Sequence, residues 1–269
     1  MTAYVETFRG QVFPWEVDST EHFTVAAYYE KFEAATWRFL RQAGVDPAAA
    51  HTTAALTNYK AELRQWGIYR IETAVIESGD GPTIGHKLFN AETGTLCTTM
   101  QQTFAGVSLE GPSVVWDGDA REERSVPSDD AAWIHSSVDI ARPEEADWAG
   151  RLSLLGYIKR FSTANSFIMS AFGMTPEYLS GARIGLSTFE FQLTFHNLAR
   201  PGDMLDVESC LAHLGGSSLR FYHRMRNAET GADVAGLSQF GVHLDLDSRR
   251  PSRIPDHLRE RSRTLLAEG

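Results

Sequence analysis

Two aspartates stand at matching places in the chain, and each is followed four residues later by a basic side chain: Asp18 by His22, and Asp147 by Arg151. A carboxylate and an imidazole at that spacing can take or deliver a proton, and a carboxylate can also attack a carbonyl carbon. The competing role is structural. An Asp ahead of a helix commonly accepts hydrogen bonds from the free N–H groups of the first turn, although both aspartates stand further from the periodic apolar run than a simple cap does. Other chemistries lack their signatures. No HxxxH, HxH or CxxC spacing occurs, which argues against a metal site. No GxSxG elbow occurs, which argues against a serine hydrolase of the α/β type. Cys97 and Cys210 fall in strand-like runs and read as core residues rather than thiol nucleophiles. His86, His196, His213, His223 and His243 read as structural strand residues.

The element that must position Asp18 and His22 is the helix behind them. Tyr28, Phe32, Ala35, Phe39 and Ala43 recur at three- and four-residue steps and share one face, Gly44 can close the helix, and Pro47 cannot continue it. The same stretch returns 129 positions later without a gap. Asp18 falls on Asp147, Tyr28 on Tyr157, Phe32 on Phe161, Ala35 on Ala164, Gly44 on Gly173 and Pro47 on Pro176. Apolar residues cover much of the girth of both helices (Tyr29, Trp37 and Leu40; Ile158, Phe167 and Met169), so each is expected to be wrapped by other elements.

Strand signals surround each helix. Tyr4–Pro14 suits an extended segment, Ile68–Ile76 alternates with period two, and Gly79-Asp80-Gly81-Pro82 marks a turn. Ile84–Phe89 and Leu96–Val107 flank a hairpin loop, Asn90 to Gly94. Asn227 to Gly231 carries the same five residues 137 positions later, and His86, Lys87 and Gln102 meet His223, Arg224 and Gln239 at that offset. The chain is therefore an internal duplication, with about eight extra residues in the second copy, part of them expected in the turn Asn197–Asp203.

A net charge of −10 argues against non-specific binding to nucleic acid or anionic membrane. Two cysteines give no disulfide framework. No run approaches a membrane span, the first residues lack the pattern of a signal peptide, and a cytoplasmic location is expected. The domain reading is residues 1–110 as a first unit, 111–132 as an acidic Gly/Pro-punctuated linker, 133–248 as a second unit, and 249–269 as a charged tail, solvated or partly ordered, with room for one short helix from Asp256.

One long apolar-sided helix followed by several antiparallel strands, met twice, resembles a double hotdog: an α+β fold of two tandem units, each a central helix wrapped by a curled antiparallel sheet, forming an intrachain pseudo-dimer. The stretch Val12–His22, with Tyr28 and Phe32-Glu33-Ala34, resembles acyl-CoA thioesterases of the 4-hydroxybenzoyl-CoA type, and the likeness extends over roughly Val5–Asp247. The family pattern is an Asp, two residues, a Gly and a His leading into a helix with a Tyr. Here Glu21 stands in the glycine's place, and the second copy keeps Asp147 and Gly150 but has Arg151 for the histidine.

The resemblance implies hydrolysis of an acyl-CoA, or the acyl-carrier-protein equivalent, to free acid and thiol. Asp18 and possibly the second-copy Asp147 would be nucleophile or general base, with His22 orienting water or the acid. The thioester carbonyl would point at a helix N-terminus near Thr24 and Val25, or Ser153 and Leu154, where free N–H groups meet developing negative charge. Tyr28 and Arg224 would contact substrate, the latter with Lys87, Arg220 and Arg226 offering charge to coenzyme A phosphates. No cofactor is implied apart from coenzyme A as part of the substrate. The expected partners are that small molecule and further copies of the chain, not nucleic acid or a membrane. Two other readings stay open: a hotdog hydratase or dehydratase, relatives in which four residues stand between Asp and His where three stand here and in which an Asn-Pro follows that is missing here, and a non-catalytic acyl-thioester-binding protein.

Overall fold

The computed structural model describes residues 4–18, 21–119, 122 and 124–266. The chain divides into two compact units, Met1–Arg121 with Glu144–Ile158, and Glu122–Pro143 with Lys159–Gly269. The sequence repeat and the spatial unit thus differ by one segment. Residues 144–158 belong to the second copy in sequence and to the first unit in space.

The first unit runs β1 (Val5–Gln11), α1 (Val25–Gln42), β2 (His51–Tyr59), β3 (Ile68–Val75), β4 (Thr83–Asn90) and β5 (Leu96–Ala105), in the antiparallel order β1-β3-β4-β5-β2. The apolar face of α1 lies in the curl of this sheet. Phe32 and Thr36 meet His86 of β4, Tyr29 meets Thr57 of β2, and Thr36 donates to Gln102 of β5. The second unit contains β6 (Ile134–Ile140), most of α2 (Leu154–Phe172), α3 (Pro176–Ala182), β7 (Ile184–Phe195), β8 (Met204–Leu214), β9 (Ser218–Asn227), β10 (Asp233–Asp245), the short β11 (Arg250–Pro251) and α4 (Asp256–Ser262). Its strand order, β6-β8-β9-β10-β7, repeats that of the first unit strand for strand. Register repeats as well: His86 lies opposite Met100, and His223 opposite Leu237.

The two hairpin loops are built alike. Asn90 Oδ1 accepts from the amides of Glu92 and Thr93, Asn227 Oδ1 from those of Glu229 and Thr230, and Gly94 and Gly231 take φ of 71° and 70°. An Asn side chain that mimics a turn, followed by a residue free to adopt positive φ, explains why those five residues recur.

Three expectations need correction. The turns before β3 and β8 are equal in length, residues 60–67 and 196–203. The insertion lies earlier, in α3 and in a β7 of 12 residues against 9 for β2. Thr175 caps α3, Pro176 starts it and Arg183 ends it in the left-handed region. The tail is not a solvated end. Ile254 and Leu258 are fully buried in a cluster with Ile168, Phe172, Leu211 and Phe221, while two arginines that follow them bind carbonyls, Arg261 at Ala171 and Arg259 at Gly215. Residues 111–119 lie strapped to the first unit. Val114 forms a parallel bridge with Ile76, Trp116 covers Gly85, and Asp117 and Asp119 pair with Lys87 and Lys60. No helix among the described residues is long and apolar enough to cross a membrane.

Candidate active site

The two motif aspartates fold the same local turn. The Asp18 amide donates to His22 O and its carboxylate accepts from the His22 amide. Asp147 and Arg151 repeat both bonds. The residue before the base takes positive φ in each copy, 63° at Glu21 and 74° at Gly150, which explains why a glycine suits that place. The backbone then bridges back, Val17 to Phe23 and Ala146 to Leu152, and the helix begins.

After that turn the copies diverge. Asp18 is exposed, and His22 Nε2 lies 3.0 Å from Glu62 Oε2. Thr24 caps α1 by accepting from the Ala27 amide, ahead of Val25. The Asp147 carboxylate is buried: Oδ1 accepts from the Ala149 and Arg151 amides and Oδ2 from Arg151 Nε at 2.8 Å. Tyr28 is packed in the core edge-on to Phe23 and Tyr59, where burial raises its phenol pKa. Arg224, in the second unit, stacks over Trp133 and pairs with Glu208 and Asp129.

The first unit holds a cavity of about 320 Å³, and α1 and residues 144–155 form its walls. Phe8, Lys31, Glu33, Trp37, Asp147 and Trp148 are among the lining side chains. Of the residues singled out from sequence it collects Asp147 and Ser153; Asp18, His22, Thr24, Val25 and Tyr28 do not line it. The indoles of Trp37 and Trp148 meet edge to face at 4.8 Å, and Lys31 is held by Glu16 and Glu30.

The acid that sequence reasoning passed over is Glu33. Its Oε1 accepts from the Leu154 amide at 2.9 Å. That amide lies in the first turn of α2, where no helical carbonyl can pair with it and where the helix dipole is positive. Loss of hydration pushes the Glu33 pKa up to about 7. Asp147 and Glu30 push the same way, while the Leu154 amide and the Arg151 guanidinium oppose them. A carboxyl that ionises near neutrality, at a cavity wall, can act as a general base or, protonated, as an acid. The signal in sequence was an acid among the apolar residues of the helix, four residues before Trp37. The counterpart of Glu33 in α2 is Ser162, which cannot take this role.

Residues 141–262 match the family model described as the thioesterase-like superfamily. Curated protein sequences yield no match. Among solved structures, the chain is similar to an acyl-ACP thioesterase from Bacteroides thetaiotaomicron, with TM-score 0.65 and 10% identity over 89% of this chain and 98% of that one. It is similar to the 12:0-ACP thioesterase from Umbellularia californica, with TM-score 0.65 and 10% identity over 90% of this chain and 94% of that one. It is also similar to the tesB protein of Mycobacterium avium subs paratuberculosis, with TM-score 0.56 and 13% identity over 88% and 92%. The fold is a double hotdog. At these identities the likeness is one of architecture.

Proposed function

We propose that the double hotdog is an acyl thioesterase whose working site is the cavity beside α1, with Glu33 as general base and the amino end of α2 as the carbonyl-polarising element. The observation that carries this reading is the 2.9 Å bond between Glu33 and the Leu154 amide, which joins an acid of nearly neutral pKa to a helix-terminal N–H at a cavity wall. The match of residues 141–262 to the thioesterase-like superfamily supports the reaction class.

In this reading the thioester carbonyl oxygen takes the place of Glu33 at the Leu154 amide. Glu33 then removes a proton from water as the water oxygen bonds to the carbonyl carbon. The oxyanion of the tetrahedral intermediate faces the α2 terminus, where fixed N–H dipoles favour negative charge. Collapse breaks the carbon–sulfur bond, and the proton on Glu33 passes to the departing thiolate, so acyl thioester and water yield acid and thiol. Asp147 shapes the turn and Arg151 neutralises it, and Glu33 is the cavity carboxyl whose pKa burial raises toward neutrality. Asp18 and His22 belong to a turn away from the cavity. The carrier is coenzyme A or acyl carrier protein.

The test is thiol release from short, medium, long and aromatic acyl-CoAs and from acyl-ACP, with Glu33→Gln, Asp147→Asn and Asp18→Asn beside the wild type. Loss of turnover in Glu33→Gln with retention in Asp18→Asn is expected. Turnover unchanged in Glu33→Gln removes the assignment of the base, and folded protein that releases no thiol from any substrate removes the reaction.

A further inference from the structure

We infer that Arg151 is the positioning residue of this site: its guanidinium pins the amino end of α2 to the start of β2, so that the Leu154 amide is held in line with Glu33. For its kinetic consequence the inference rests on the thioesterase reading; its structural content stands apart from it.

Arg151 sits where the first copy has His22, yet the two are used differently. His22 reaches Glu62 on a partly exposed turn. Arg151 is buried, and its guanidinium reaches two ways, through Nε and through one terminal nitrogen. Nε donates to Asp147 Oδ2 at 2.8 Å, and one terminal nitrogen donates to Ala50 O at 2.7 Å and to His51 Nδ1 at 3.0 Å, with Ala48 O at 3.4 Å. The first of these bonds lies inside the turn, and the others cross to residues 48–51. Because His51 Nδ1 accepts here, the neutral ring carries its proton on Nε2. Leu154 follows three residues later, and its neighbour Ser153 fixes the next part of the turn by accepting from the Gly156 amide.

A planar, charged fork is the side chain that can satisfy a carboxylate, carbonyls and an imidazole at once; an ammonium on a flexible stem cannot hold the same set in one geometry. The need for such a brace follows from the chemistry. A helix terminus stabilises an oxyanion only when its N–H groups stand at hydrogen-bond distance from the place where charge develops. The carbonyls at Ala48 and Ala50 supply that reference point, since they lead directly into β2.

The test uses the full chain, with glutamate side-chain carboxyls labelled with carbon-13. Arg151→Lys keeps the charge and loses the fork, and His51→Ala keeps the Arg151–Asp147 pair and loses one anchor. Three quantities are read: the Glu33 titration midpoint by NMR, assigned with Glu33→Gln; hydrogen exchange at the Leu154 amide; and kcat and KM for any thioester the wild type hydrolyses. Arg151→Lys is expected to raise the Glu33 midpoint by about one pH unit as the Leu154 bond weakens. It is expected to speed Leu154 exchange by about tenfold or more. It should lower kcat by roughly 10- to 100-fold, with KM changed far less. His51→Ala should move all three the same way by a smaller amount.

A purely electrostatic role predicts that Arg151→Lys keeps the wild-type titration and exchange. A purely structural role predicts lowered stability with titration and kcat unchanged in the folded protein. Either outcome overturns the proposal. A wild type that hydrolyses no thioester removes the thioesterase reading instead, and titration and exchange then decide the positioning role by themselves.

Discussion

Glu33→Gln should cost activity and add stability, and the size of the gain should depend on pH. The amide oxygen of Gln can still accept from the Leu154 N–H, so the change removes chiefly a charge. In the folded chain the Glu33 carboxyl ionises near 7 against an ordinary value of 4.5. The folded state therefore keeps its proton to higher pH than the unfolded state does. Wild-type stability falls as pH rises from about 4.5 to about 7 and is level above that. A gap of about 2.5 pH units at about 1.4 kcal/mol each makes the full penalty about 3 kcal/mol, reached near pH 8. At pH 5 less than about 1 kcal/mol of it is present. Urea unfolding of both proteins at pH 5 and pH 8 reads this difference directly. The variant should gain about 2–3 kcal/mol on the wild type between the two pH values. Thiol release should meanwhile fall by about 100-fold or more. In the wild type, kcat/KM should rise with pH through about 7, because the base works ionised. A stability difference that is equal at both pH values refutes the claim that Glu33 is held against its charge.

Other sites give equally direct tests. His86 and His223 are fully buried, and loss of hydration lowers both to about 3 from 6.5. The unfolded chain protonates them first, so stability is fully present above 6.5 and should fall by about 1.4 kcal/mol per histidine per pH unit below it; His86→Gln should flatten the urea-midpoint slope between pH 6 and pH 4, and an unchanged slope counts against it. Gly85→Ala would place a methyl group inside the ring atoms of Trp116 and beside Ile76. It should destabilise by about 1–3 kcal/mol and alter the tryptophan fluorescence; a silent substitution would mean that residues 111–119 do not hold to this face. Leu258→Ala opens a hole in the cluster around Phe172 and should cost about 2–5 kcal/mol by urea unfolding, whereas a solvated tail predicts no change.

Features carried by local periodicity are legible in the residues themselves. The apolar teeth of α1, the Asn90 and Asn227 loops and the 137-residue offset each follow from contacts within a few residues, and register and strand order repeat them. Features created by distant segments are not legible in that way. Asp147 and Arg151 look like half of a catalytic pair when only their spacing can be read; that the carboxylate is consumed by its own turn depends on backbone geometry. Glu33 draws no role from its neighbours because its chemistry comes from Leu154, 121 residues away, and no local pattern tells that residues 144–158 fold beside α1. Arginine-rich composition hides Ile254 and Leu258, since two buried residues anchor a helix whatever surrounds them.

The displaced segment Glu144–Ile158 has a consequence for how the chain can be inherited. A duplication usually leaves two interchangeable parts, and either can be lost or traded. Here the first part keeps the acid, the second has Ser162 in its place, and the helix end that Glu33 addresses is encoded in the second. A gene cut between the repeats would leave one product with a carboxylate facing nothing and another with a helix end lacking its acid. On the proposed reading neither half alone carries a complete site, and because the Leu154 group is a backbone N–H, the constraint falls on Glu33 and on the position of the α2 end rather than on the Leu154 side chain.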